Sequence, residues 1–116
     1  MPKQYDLEER TFQFAKNVSL YIKEFSRTIS NIEYGKQVVR ASGSVGANYI
    51  EANEALSKKD FIMRIKICRK EAKESAYWLR LLVETNGEKY TEGGSKLSKE
   101  ATELKKIFSS ILEKSK

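Results

Sequence analysis

The sequence predicts an all-α fold: four amphipathic helices running up-down-up-down in one antiparallel bundle. Three observations carry this. The only proline is Pro2, so nothing breaks a helix further along. Apolar residues recur at spacings of three and four through most of the chain. The breaks between these stretches are short, which favours antiparallel neighbours. The chain of 116 residues fits a single domain over 1–116, and no strand pattern or low-complexity linker interrupts it.

The first helix is expected from about Asp6 to Arg27, with Phe14, Val18, Tyr21 and Phe25 as its stripe and Ala15 and Ile22 beside it. Ser30-Asn-Ile-Glu33 has the form of a capping box and predicts a restart. The second helix then runs from about Asn31 to Ala55. Val38, Val45, Tyr49 and Ala52 form its apolar arc, flanked by Val39, Gly46 and Ile50. Gly43 and Gly46 each cost about 1 kcal/mol against alanine in a helix, and are expected where helices approach closely. Ser57 caps the third helix, with Asp60 in its first turn. That helix should reach about Thr85 and stop at Asn86-Gly87, a pair that tolerates the left-handed conformation. Its core face is Phe61, Ile65, Cys68, Ala72, Ala76, Leu79 and Val83. Gly93-Gly94 blurs the fourth start. From about Lys96 to Lys114 the pattern is clear in Leu97, Ala101, Leu104, Phe108 and Ile111.

Composition excludes several chemistries. There are no histidines, so the commonest general base and metal ligand are missing. Cys68 is the single cysteine, which rules out an internal disulfide. It falls on the core face and reads as an apolar filler. No glycine loop cradles phosphate. Glu51 and Glu54 have a spacing used in bundle metal sites, but the partner ligands such sites need are lacking. No catalytic residue, cofactor or metal is expected. No apolar stretch is long enough to span a bilayer, and Met1–Asp6 lacks the apolar region of a signal peptide. The expected location is the cytoplasm, with no membrane partner.

Charge is where function shows. The net charge is +6, from 22 Lys and Arg against 16 Asp and Glu. Between Lys58 and Arg80 eight basic residues face three acidic ones, which is nearly the whole excess. At ~100° per residue, Lys59, Lys66, Lys70, Lys73, Tyr77 and Arg80 share one stripe of the third helix, with Arg69 just outside. Such a row can follow a phosphate backbone, and the tyrosine ring can stack on a base. The alternative is a solvated helix face. A second flank carries Ile67, Glu71, Glu74 and Trp78. It reads either as an oligomer interface, with the acids pairing to a neighbouring subunit, or as the edge of the monomer core. On the second helix Gln37, Arg40, Ser44, Asn48, Glu51 and Glu54 form a polar stripe. Asn48 and Glu51 are candidates to bond across to a facing helix or subunit.

The run Gln37-x-x-Arg40-x-Ser42-x-Ser44-x-x-Ala47-Asn48-x-x-Glu51, followed by Asp60-Phe-Ile and Lys70-Glu-Ala-Lys-Glu-Ser-Ala-Tyr-Trp-Leu-Arg-Leu-Leu82, resembles the bacterial four-helix-bundle family named after the 23S rRNA intervening-sequence protein. The resemblance spans about Tyr5 to Leu112. It implies an up-down bundle assembling as a ring, typically a homopentamer. It also implies kinship with the accessory protein of diversity-generating retroelements, a basic pentamer that binds nucleic acid and its reverse transcriptase. Many members have Glu-Gly after the Ala-Asn motif, whereas this chain has Glu51-Ala52. The resemblance brings no catalytic residues.

Two functions follow as expectations. One is an oligomer binding RNA or DNA through Lys59, Lys66, Arg69, Lys70, Lys73, Tyr77 and Arg80. The other is an adaptor for a protein such as a reverse transcriptase or a ribosome-associated factor. In either case Arg40, Asn48, Glu51, Ile67, Glu71, Glu74 and Trp78 are the candidate contacts between subunits.

Overall fold

The computed structural model describes the backbone of residues 3–116 and the side chains of residues 7–116. Four helices follow one another: α1 Lys3–Ile22, α2 Ile29–Asn53, α3 Lys58–Glu84 and α4 Thr91–Lys114, with one 3-10 turn at Glu88–Tyr90 before α4. No strand occurs among the described residues. Each helix packs antiparallel on its neighbour in sequence, and α4 closes the square against α1. Cross-links fix this direction. Asn53 donates to Glu8 at 2.9 Å between α2 and α1, and Arg10 reaches Glu100 between α1 and α4.

The apolar stripes meet in one core, where Phe14, Val18, Val38, Val45, Ile65, Leu79, Leu82, Leu104 and Phe108 are buried. Phe61, Ala76 and Val83, expected in the core of α3, are only partly buried, and Leu82 is fully buried. Val39 and Ile50 of α2 are exposed.

Helix ends differ from expectation in instructive ways. Thr28 caps α2, its hydroxyl accepting the Asn31 N–H at 3.1 Å, so Ser30 lies inside the helix and the Ser30–Glu33 box is not used. Ser57 caps α3 as expected, accepting the Asp60 N–H at 3.1 Å. No described residue has positive φ, so Asn86-Gly87 does not end α3 through a left-handed residue. Instead Asn86 donates to the Leu82 carbonyl at 2.8 Å and exchanges amide hydrogen bonds with Asn31 at 2.9 and 3.0 Å. That pairing ties the end of α3 to the start of α2.

The glycines divide by surroundings. A Cβ at Gly46 would stand 3.0 Å from the Thr11 hydroxyl, so α1 approaches α2 closely there. Gly43 has nothing within 4 Å and is not a contact site, contrary to expectation. Gly93 and Gly94 lie inside the first turns of α4, where a Cβ at Gly94 would collide with Val83 and the Tyr21 ring.

The seam between α1 and α4 is the most open. Two clasps hold it. Arg10 grips both carboxylate oxygens of Glu100 at 2.7 and 2.8 Å, and the Tyr21 hydroxyl donates to the Tyr90 carbonyl at 2.8 Å. Between them runs a groove lined by Gln13, Asn17, Leu20 and Leu97.

Candidate nucleic-acid interface

Helix α3 lies between α2 and α4 and shows a different charge to each side. Counting ~100° per residue, Glu71, Arg64 and Trp78 turn toward α2, and Lys59, Lys66, Lys73 and Arg80 turn outward, away from the core and on the side nearer α4. Contacts fix the first side: Arg64 donates to Asn48 at 2.9 Å and Trp78 packs on Tyr34. The collision that a side chain at Gly94 would make with Val83 fixes the second.

On the α4 side the cations stand free. Lys59, Lys66, Lys70, Lys73 and Tyr77 are exposed, and Arg69 is half-buried. None of Lys59, Lys66, Arg69, Lys70 and Lys73 makes an ion pair or side-chain hydrogen bond with any described residue. Arg80 differs: its guanidinium bonds Glu84 at 2.9 Å, and this bond raises the arginine pKa further above its ordinary value. Arg80 therefore has less free charge than the sequence pattern implied. The structure adds a residue. The antiparallel register that sets Gly94 against Val83 sets Lys105 of α4 level with Ala72, between Arg69 and Lys73. Its signal in the sequence is a lysine at the margin of the Leu104 stripe, visible only once the register of α3 and α4 is known.

On the α2 side the charges are matched. Arg40 spans two acids, with Nη1 at 3.7 Å from Glu71 and Nη2 at 3.9 Å from Glu74. Glu71 is only 6% exposed, and its Oε1 is buried with no hydrogen-bond partner among the described residues. A buried carboxylate is costly unless paired, so Arg40 is the group that makes Glu71 tolerable. Asn48 accepts from Arg64 and donates to the Ser44 carbonyl and hydroxyl, both at 2.9 Å. Trp78 lies 6.0 Å from the Tyr34 ring, centroid to centroid, and packs at the edge of the core. Ile67 is half-buried and Glu51 exposed. Five of the seven candidate subunit contacts, Arg40, Asn48, Glu71, Glu74 and Trp78, thus meet side chains across the α2–α3 seam. Arg40, Glu71, Glu74 and Asn48 find partners within the chain, across two helices. Glu71 and Glu74, which the interface alternative would pair to a neighbouring subunit, are bridged within the chain by Arg40.

Cys68 is fully buried, its thiol donating to the Val45 carbonyl at 3.3 Å, and burial pushes its pKa up to about 12. A thiol held protonated at neutral pH is no nucleophile.

Comparison with known proteins bears on fold and kinship. The chain is similar to a crystal structure described as a protein of unknown function from the S23 ribosomal protein family of Bacteroides thetaiotaomicron. The two share 34% identity with a TM-score of 0.76, over 90% of this chain and 96% of that one. No curated protein matches. The family model for the 23S rRNA-intervening sequence protein matches residues 3–110, nearly the whole bundle. With sequence and fold in agreement, the chain belongs to the family of the 23S rRNA-intervening sequence protein.

Proposed function

We propose that this chain is a non-enzymatic, self-associating bundle that binds RNA or DNA along the α3–α4 flank. One observation carries the reading: Glu71 and Glu74 of α3 lie on the α2 side and are bridged by Arg40, while Lys59, Lys66, Arg69, Lys70 and Lys73 are left without an ion pair among the described residues. Unpaired cations in a row along a rigid helix neutralise successive phosphates and release their counterions. The stripe from Lys59 to Arg80 is ~31 Å long at 1.5 Å per residue, enough for several phosphates. Lys105 broadens it. Contacts to phosphate alone carry no sequence information, so binding is sequence-independent and steeply salt-dependent.

Self-association is supported by apolar side chains left open: Phe12 on α1 and Val39 and Ile50 on α2 are 61%, 41% and 50% exposed. Ring assembly, with five copies as the family resemblance implies, would repeat the cationic flank around the particle. Several weak contacts would then act together. The proposed site of action is the cytoplasm.

The test is a titration of labelled RNA and DNA at two salt concentrations, on protein sized by light scattering. With about five phosphate contacts, log K should fall against log salt with a slope of about −4. The triple variant Lys66→Glu, Lys70→Glu, Lys73→Glu should lose binding while keeping its far-UV circular dichroism. A folded triple variant that binds as tightly as the parent refutes the reading.

The second reading, an adaptor for a reverse transcriptase or ribosome-associated protein, is favoured by the partly exposed outer rim of the α2–α3 seam. There Ile67 and Trp78 flank Glu71, whose Oε1 has no partner among the described residues. It predicts that Ile67→Asp abolishes partner capture and leaves nucleic-acid affinity intact.

A further inference from the structure

We infer that the nucleic acid held on this flank is single-stranded, with one unpaired base stacked on Tyr77. The inference rests on the nucleic-acid reading above and names the class of ligand.

Tyr77 is 60% exposed and lies on the cationic stripe, one turn after Lys73, two after Lys70 and just before Arg80. The ring stands in water among lysines and is not part of the core. Yet the ring is braced. It meets Trp78 edge to face, with centroids 5.1 Å apart and planes at 79°, and Trp78 in turn leans on Tyr34 at 6.0 Å. Whichever ring supplies the edge, at least one face of Tyr77 is left free by this contact. A braced ring loses little side-chain freedom on binding. A free face of the ring, with Lys73 one turn and Lys70 two turns earlier on the same stripe, suits a flat base whose adjoining phosphates lie over the lysines.

Only an unpaired base offers such a face. In a duplex the base faces are covered by stacking and only edges show in the grooves. Reading those edges would require α3 to enter a groove ~12 Å wide. It cannot, because α2 and α4 flank it on both sides and the Cα trace of the bundle is 26 × 19 Å in cross-section. A duplex can therefore touch only the lysines, from outside. A single strand can lie across the flank and use both the lysines and the ring, as stacking platforms do.

The experiment compares the parent with Tyr77→Ala and Tyr77→Phe, by fluorescence anisotropy, on a labelled mixed-sequence oligonucleotide alone and annealed to its complement. Both RNA and DNA are used, at one salt concentration. The single strand should bind more tightly than the duplex. Tyr77→Ala should weaken single-strand binding about fivefold or more and leave duplex binding within about twofold. Tyr77→Phe, which keeps the ring, should behave as the parent. The emission of Trp78, the only tryptophan, should change on adding the single strand and not the duplex. Equal affinity for both forms, or a Tyr77→Ala variant that binds the single strand as well as the parent, overturns the inference. If binding is still abolished by the lysine-to-glutamate triple variant, the phosphate-binding reading survives that result. Binding to neither form refutes both.

Discussion

Replacing Gly94 by alanine places a methyl group where Val83 and the Tyr21 ring already stand. Replacing Gly43 by alanine places the same methyl group where nothing lies within 4 Å. Both positions are helical, so both substitutions gain about 1 kcal/mol of helix propensity. At Gly43 nothing opposes the gain, and the variant should be more stable by about 0.5–1 kcal/mol. At Gly94 overpacking costs about 1–3 kcal/mol. Moving Tyr21 also endangers its 2.8 Å hydrogen bond to Tyr90, a further ~1 kcal/mol. The net effect at Gly94 is a loss of about 1–3 kcal/mol. Urea unfolding followed by far-UV circular dichroism reads both. A change of 1 kcal/mol moves the midpoint by about 0.5–1 M. The series is run at several protein concentrations, because self-association shifts apparent stability and Gly43 lies on an exposed face of α2. A Gly94→Ala variant as stable as the parent would refute the close packing of α4 on Val83 and Tyr21. A Gly43→Ala variant destabilised at every concentration would refute the open surroundings of Gly43.

Three further outcomes follow from contacts described above. Arg40→Ala strands the buried Glu71 carboxylate; since Arg40 is half exposed the loss should be about 1–2 kcal/mol, and adding Glu71→Gln should recover part of it in the same urea assay. Asn86→Ala removes both amide hydrogen bonds to buried Asn31 and one to Leu82, and should cost about 1–3 kcal/mol. High pH should destabilise the bundle through Cys68 and Tyr21, both pushed up to about 12, chiefly by burial, from ordinary values of 9.0 and 10.0. Above pH 9 the unfolded chain releases protons that the folded chain retains. Stability present below that point is therefore lost as pH rises toward 12, by about 1.4 kcal/mol per unit for each group. Cys68→Ala should flatten the part of that decline beginning near pH 9, and an unchanged slope would mean the thiol titrates normally.

The bundle was legible because its core obeys a local rule. Phe14, Val18, Val38, Val45, Ile65, Leu79 and Leu104 repeat at helical spacing, and that repeat sets which face of each helix turns inward. What the pattern could not supply was everything decided between helices. Gly43 and Gly46 look alike in sequence, yet only Gly46 meets Thr11, because α1 crosses one side of α2 and not the other. Thr28 and Ser30 are both good caps, and only the turn after α1 decides which one the chain uses. The candidate site divides in the same way. The cationic stripe of α3 follows from counting residues. The bridge from Arg40 to Glu71 and Glu74, the neutralisation of Arg80 by Glu84, and the level of Lys105 along α3 depend on register or rotamer.

The two clasps of α1 give the bundle an uneven resistance to opening. Between Arg10–Glu100 and Tyr21–Tyr90 the seam with α4 is a groove, whereas α3 is packed along its length on both sides. Local unfolding proceeds where few buried contacts must break, so α1 is the segment whose amides lose protection first. Its release would uncover Thr11 and Ile22 together with the α2 surface at Gly46 and Gly35 that they cover. That surface fits α1 of any copy equally well. In a crowded assembly of identical chains, a detached α1 therefore has two places to return to, its own bundle or its neighbour's.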